Sequence, residues 1–104
     1  MIDLYYLYIL QSKKSGNYYV GYSKDPWRRL QEHNTVDRDT FTSKHQPWSL
    51  KAVFEVGTNE GEALKIERFI KKQKSRVLLE KLTDPEFFPI RLLAQLVRVP
   101  HVRD

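Results

Sequence analysis

The sequence predicts an α/β domain in which three strands are combined with helices, and three features of the chain carry this prediction. Two runs rich in aromatic and branched residues, 4–10 and 18–22, are separated by a polar loop with one glycine, the pattern of an antiparallel hairpin. A similar run at 50–56 predicts a third strand that ends at Gly57. Helical patterns precede and follow this third strand.

The first strand is apolar on both of its alternating faces, which predicts that it is covered on both sides. The first helix is predicted from its start signals: Asp25 can act as N-cap, and Pro26 suits the first helical position, where no N–H is needed. We expect this helix to run to about residue 34. The following segment, 35–47, is polar and predicted to be irregular, with Phe41 and Trp48 as anchors.

A longer helix is predicted over residues 60–74. Asn59 and Glu62 form a capping pair at its start, and the apolar residues share one broad face. Ser75 caps another short helix. Beyond two prolines, Ile90, Leu93 and Val97 predict a last amphipathic turn or two.

Composition limits what the chain can be. Its 104 residues indicate one domain, and the absence of cysteine excludes disulfides and thiolate metal sites. The longest apolar run is too short to cross a bilayer, and the N-terminus lacks signal-peptide features, so we expect a cytoplasmic protein. A net charge of +5 favours a polyanionic partner such as nucleic acid, although solubility alone can also account for it.

Four side chains in the first third of the chain are candidates for chemistry. Tyr8 and Tyr19 lie on the two arms of the hairpin and can meet across it, although tyrosines in strands most often serve packing. Arg29 and His33 are four residues apart and therefore share one face of the first helix. Alone they form a solvated basic face. If they face the tyrosines, Arg29 can bind a phosphate and His33 can accept or donate a proton.

Glu67 is the most informative carboxylate because it falls on the apolar stripe of its helix. One explanation is a glutamate held in a salt bridge. The other is a carboxylate that holds a hard divalent cation such as Mg²⁺ through one or two oxygens.

Basic residues gather in the hairpin loop, around the first helix and at the end of the long helix. They fit contacts to a nucleic-acid backbone, whereas single charge clusters are more often solvated faces. The predicted nucleic-acid-binding residues are Lys24, Arg28, Lys44, His45, Lys71, Lys72 and Lys74.

In combination, these residues resemble the GIY-YIG nuclease family. Tyr6-Leu7-Tyr8 and Tyr19-Val20-Gly21 are similar to its two naming motifs, YVGYSKDPWRRLQEHN to its arginine helix, and EALKIERFIKK to its metal-glutamate helix. The resemblance implies a three-stranded antiparallel sheet flanked by helices, and hydrolysis of DNA with one divalent metal, Mg²⁺ or Mn²⁺. It makes Tyr8, Tyr19, Arg29 and His33 catalytic and Glu67 the metal ligand, with a structure-selective role in repair or recombination.

The sequence departs from this pattern in places. Tyr6 replaces the first naming glycine, and the asparagine that catalytic members often carry after the metal helix is missing, which leaves Lys71, Lys72 or Lys74 as replacements. Residues 1–84 are predicted to form the nuclease-like domain, and 85–104 an extension that is not an independent domain. The alternative function is a nucleic-acid-binding domain that does not cut.

Overall fold

A computed structural model of the chain describes residues 3–35, 40–87, 89, 93 and 96–100. Its centre is an antiparallel sheet with the strand order β2-β1-β3-β4. The strands are β1 (Tyr5–Ser12), β2 (Tyr18–Ser23), β3 (Trp48–Gly57) and β4 (Val97–Arg98). The α/β class and the hairpin are confirmed.

The prediction of three strands is wrong by one. β4 pairs with β3 through Phe54 opposite Arg98 and Glu55 opposite Val97. Val97 therefore lies in a strand rather than in the predicted amphipathic turn, and Ile90 lies outside the described residues. A two-residue strand has too little sequence to show a period. It forms here because the edge of β3 offers unpaired backbone groups.

Four helices accompany the sheet: α1 (Pro26–Thr35), α2 (Phe41–Lys44), α3 (Glu60–Gln73) and α4 (Arg76–Leu82). All four begin at a side chain that accepts from a backbone N–H of the first turn. The pairs are Asp25 with Arg28 N, Thr40 with Ser43 N, Asn59 with Glu62 N and Ser75 with Leu78 N. Within the segment predicted to be irregular, Thr40 forms a capping box that starts α2, and residues 36–39 lie outside the described residues.

The core lies on both faces of the sheet, as the apolar pattern of β1 predicts. Leu7 and Ile9 point to the face covered by α3 and α4, where Ile66, Ile70 and Leu82 are buried. Tyr8 and Leu10 point to the other face and pack with Trp48, Leu50 and Val53, against which Leu30 of α1 is placed. Tyr8 is therefore held at the centre of the molecule, with α1 over it.

In the part of the chain that the structure describes, no helix has the length and apolarity needed to span a membrane.

Candidate active site

Tyr8 and His33 form the buried centre of the site. The Tyr8 hydroxyl lies 3.2 Å from Nε2 of His33, and the two residues are only 1 % and 6 % exposed. Tyr8 comes from the central strand and His33 from α1, so packing of the helix on the sheet brings together residues 25 positions apart. The condition that a tyrosine faces the helix that carries Arg29 and His33 is therefore met by Tyr8.

Gly21 makes room for the phenol of Tyr8. It lies directly opposite Tyr8 in the β1–β2 register, and a Cβ added at Gly21 would come within 2.5 Å of the Tyr8 hydroxyl oxygen. Real Cβ atoms do not approach other atoms so closely. The glycine of the second motif therefore allows the Tyr8 ring to cross β2 and reach α1. Sequence reasoning quoted this glycine and gave it no role.

Burial raises the pKa of Tyr8 from 10.0 to about 12. The Arg29 guanidinium lowers it through a side-chain hydrogen bond, by less than burial raises it. Burial therefore outweighs the effect of Arg29, and Tyr8 is a neutral phenol at neutral pH in the protein alone.

Burial also acts on His33 and lowers its pKa to about 4, with a further lowering from the positive charge of Arg29. The imidazole is therefore uncharged at neutral pH. The ring of Tyr19 packs on it, with centroids 4.6 Å apart, and the rings of Tyr8 and Tyr19 are 6.4 Å apart. The two tyrosines and the histidine thus form one cluster.

Two amide side chains fix the C-terminal end of α1, and sequence reasoning missed both. Gln46 Nε2 donates to the backbone oxygen of His33 over 2.6 Å. The Asn34 amide donates to Trp48 O and accepts from Trp48 N, at 3.0 and 2.6 Å. These bonds tie the helix to the start of β3 and hold His33 in place. The local sequence pattern does not predict these hydrogen bonds, because each of them links segments that are distant in sequence.

An open cavity of about 330 Å³ leads to this cluster, and Arg29, Glu32 and His33 line it with Tyr19 and the start of α2. Arg29 and Arg28 both pair with Glu32. Although burial lowers the pKa of Arg29, hydrogen bonds with Tyr8 and Glu32 raise it overall, so the guanidinium stays charged. The cavity therefore presents a cation beside a neutral imidazole, an arrangement suited to a phosphate.

Glu67 lies at the edge of the buried face of α3, with a side chain 14 % exposed. Its Oε1 accepts a hydrogen bond of 2.7 Å from Lys71 Nζ, and this ammonium also lies 5.4 Å from the ring centroid of Tyr19. Among the described residues, no three histidine or carboxylate side chains cluster as a metal site. A single carboxylate fits a Mg²⁺-like ion only if water and substrate phosphate complete its shell.

The basic residues of the prediction are spread around these features. Lys24 pairs with Asp3, 3.1 Å away, and His45 Nδ1 lies 2.9 Å from the Ser15 hydroxyl. Lys44, Lys72 and Lys74 are exposed. Their contacts with nucleic acid stay predictions.

Comparison with known proteins gives a consistent result. The family model described as the GIY-YIG catalytic domain matches residues 4–81. The structure-specific endonuclease subunit SLX1 of Cryptococcus neoformans is 33 % identical over 92 residues, covering 83 % of this chain and 19 % of that protein. A UPF0213 protein of Halobacterium salinarum is 34 % identical over 79 residues, covering 76 % of this chain and 99 % of that protein.

A UPF0213 protein of Streptococcus pneumoniae is 33 % identical over 70 residues, covering 66 % of this chain and 68 % of that protein. The chain spans 19 % of the length of the SLX1 protein and nearly all of the Halobacterium relative. The matched segment contains the tyrosine–histidine cluster, Arg29 and Glu67. The chain therefore belongs to the GIY-YIG family of nuclease catalytic domains, as its two motifs and the helices that follow them indicated.

Proposed function

We propose that this chain is a divalent-metal-dependent DNA endonuclease that hydrolyses phosphodiester bonds. The observation that carries the proposal is the buried Tyr8–His33 hydrogen bond beside the charged Arg29, at the end of an open cavity. Hydrolysis of a phosphodiester needs a proton acceptor for the attacking water and positive charge for the phosphate oxygens. The cavity brings both together.

Arg29 binds a nonbridging phosphate oxygen and stabilises the charge that develops there. The bound anion also offsets the repulsion that Arg29 exerts on a protonated His33. The pKa of His33 therefore rises when substrate binds. This makes His33 a better proton acceptor in the complex than in the free protein.

The Tyr8–His33 pair takes up the proton of the attacking water, and the proton resides on His33. Tyr8 does not need to become a phenolate, since a hydroxyl can donate to neutral Nε2 and accept from it after protonation. Tyr8 therefore stays bonded to His33 through the reaction and keeps the ring in place. Tyr19 also packs on the imidazole and lines the cavity.

Glu67 is the residue that would hold Mg²⁺ or Mn²⁺. When bound, the metal supplies Lewis-acid stabilisation of the phosphate and of the leaving oxygen. In the protein alone Glu67 pairs with Lys71, and a metal held by Glu67 would leave the Lys71 ammonium to pair more fully with phosphate.

The SLX1 relative is named a structure-specific endonuclease subunit, and we extend a preference for DNA structure, in repair or recombination, to this chain. The substrate is DNA in a form that exposes a phosphate to the open cavity beside Arg29.

The test is cleavage of linear, nicked and branched DNA in Mg²⁺, in Mn²⁺ and in chelator. We expect cutting only with metal, and a loss of about 10²- to 10³-fold in Arg29→Ala, because one electrostatic donor is removed. Arg28→Ala is the matched control: it removes the same charge one residue away, outside the cavity lining. It should lose no more than a few-fold.

Circular dichroism establishes that both variants fold. If the protein binds DNA in a salt-sensitive way but cuts none of the substrates in Mg²⁺ or in Mn²⁺, the proposed endonuclease activity is rejected in favour of a noncatalytic binding domain. Equal cutting by Arg29→Ala and wild type would reject the mechanism.

A further inference from the structure

A second open cavity, also of about 330 Å³, lies next to the catalytic cavity. Tyr19 and Phe41 line both spaces, so these two rings form a shared wall between them. The second cavity extends from this wall along β2 to the end of α3 and the start of α4. A strand of DNA with its phosphate at Arg29 has this space immediately beside it.

The lining combines apolar surface with positive charge. Val20, Ile70 and Leu79 are apolar, and Lys71 and Lys74 add two ammonium groups. Arg76 is a third cation, stacked on the ring of Tyr18 at 5.1 Å. None of the described residues that line the cavity is acidic.

This chemistry matches a nucleotide, which joins a flat aromatic base to an anionic phosphate. The volume lies at the lower end of the range for small-ligand sites, roughly 300–1,000 Å³, so it suits one such group.

Phe41 is presented to solvent in a fixed position. Phe41 is 51 % exposed and is the first residue of the four-residue helix α2. That helix is anchored by the indole Nε1 of Trp48, which donates to Thr42 O over 2.8 Å. The Phe41 ring also packs on His45, with centroids 4.5 Å apart. An exposed aromatic ring on an anchored segment is a surface on which a base can stack.

We propose that the second cavity binds one unpaired nucleobase of the strand to be cut, stacked on Phe41, with an adjoining phosphate on Lys71 and Lys74. The proposal rests on the proposed function and specifies its substrate: DNA with an unpaired nucleotide next to the cleaved bond. A base in intact duplex must first leave the helix, which disfavours binding, whereas a base at a gap, flap or bulge is already free. Base stacking on an aromatic side chain contributes roughly 5- to 150-fold in affinity.

The test measures binding in chelator, where cleavage does not interfere, to two DNA duplexes that differ by one bulged 2-aminopurine. We expect wild type to bind the bulged duplex at least about 5-fold more tightly than the paired one and to change the fluorescence of the probe. Phe41→Ala should lose both effects while binding the paired duplex as wild type does. Phe41→Leu keeps apolar volume without an aromatic ring, and it should lose both effects as Phe41→Ala does.

Trp27→Ala is the matched control, because Trp27 is also an exposed aromatic residue, 47 % accessible, and lines neither cavity. It should keep the preference for the bulge. An equal preference in Phe41→Ala and wild type would overturn the base site, as would a wild type that cuts DNA with metal but binds both duplexes equally. Tighter binding of an unpaired RNA base than of the DNA base would overturn DNA as the occupant. Absence of metal-dependent cutting on every substrate would instead reject the proposed function.

Discussion

Tyr8 and Gly21 are fitted to each other across the first two strands. The phenol of Tyr8 passes over the position where any other residue would carry a Cβ, and this passage lets its hydroxyl reach His33. One side chain and one missing side chain therefore define the buried hydrogen bond of the site.

Gly21→Ala should destabilise the protein by about 1–3 kcal/mol, because the new methyl group forces the Tyr8 ring out of place. Cleavage should fall with it, since the hydrogen bond to His33 is lost. Urea unfolding and cleavage rate are the measurements. Gly61→Ala on the exposed start of α3 is the control, because its added Cβ would meet only Asn59 Oδ1, 3.1 Å away, and alanine favours the helix. Wild-type stability and activity in Gly21→Ala would contradict the fit.

His33 makes stability depend on pH. Its pKa is about 4 when folded and about 6.5 when exposed, so between these values the unfolded chain binds more protons. Stability contributed by the neutral imidazole is therefore complete above about pH 6.5 and is lost as pH falls toward 4, by about 1–3 kcal/mol.

The measurement is urea unfolding from pH 4 to 7.5 for wild type, His33→Gln and, as control, His45→Gln. Wild type and the control should lose this increment toward low pH, and His33→Gln should not. Parallel pH profiles for all three proteins would show that His33 is not the group responsible.

Helix α3 carries the carboxylate proposed for the metal and, one turn later, a lysine that pairs with it. Lys71 pairs with Glu67 and orients it in the protein alone, and Lys71 also lines the second cavity. The same helix therefore carries the residue proposed for the metal and a lysine that lines the cavity proposed for DNA.

Lys71→Met should strengthen binding of Mn²⁺ to the protein without DNA by about 2- to 5-fold, because an exposed ion pair contributes no more than about 1 kcal/mol. Lys72→Met removes the same charge one position further on, and no ion pair to Glu67 is described for it. It should leave Mn²⁺ binding unchanged. Mn²⁺ electron paramagnetic resonance is the measurement, and equal effects of the two variants would show that only net charge matters.

The elements that sequence predicted are those long enough to show a period. The strands around Tyr8 and Val53 and the helix that carries Glu67 each repeat an apolar position several times. Helix α2 and β4 have four and two residues, so no period can appear. The part of the candidate site that depends on spacing within one element was predictable, as for Arg29 and His33, which lie one turn apart on α1. The amide contacts of Asn34 and Gln46 depend on the finished fold.

One edge of the sheet is covered by residues that lie beyond the segment matched by the family model, 4–81. β4 covers β3, and the adjoining Leu93 and Leu96 are buried in the core. Arg98 adds a cation over the ring of Phe54, 4.6 Å from its centroid. The C-terminal residues that the structure describes therefore pack on the same core as the rest.

A chain ending at residue 84 should lose about 3–6 kcal/mol of unfolding free energy, since two buried leucines are removed, each contributing about 1.5–3 kcal/mol. It should also self-associate through the bare edge of β3. Urea unfolding and light scattering are the measurements, with Leu96→Ala as a milder comparison. A stable monomer of residues 1–84 would show that the matched segment is sufficient alone.

The central position of β1 also sets the order in which the molecule comes apart. β1 is bonded on both sides and covered on both faces, so its amide hydrogens can exchange only when the whole domain opens, and Tyr8 belongs to this most protected segment. His33 and Glu67 lie on peripheral helices that can open locally. On heating, we therefore expect the proposed catalysis to fail first, because Tyr8 loses its contact with His33 at temperatures where the sheet that carries Tyr8 is still intact.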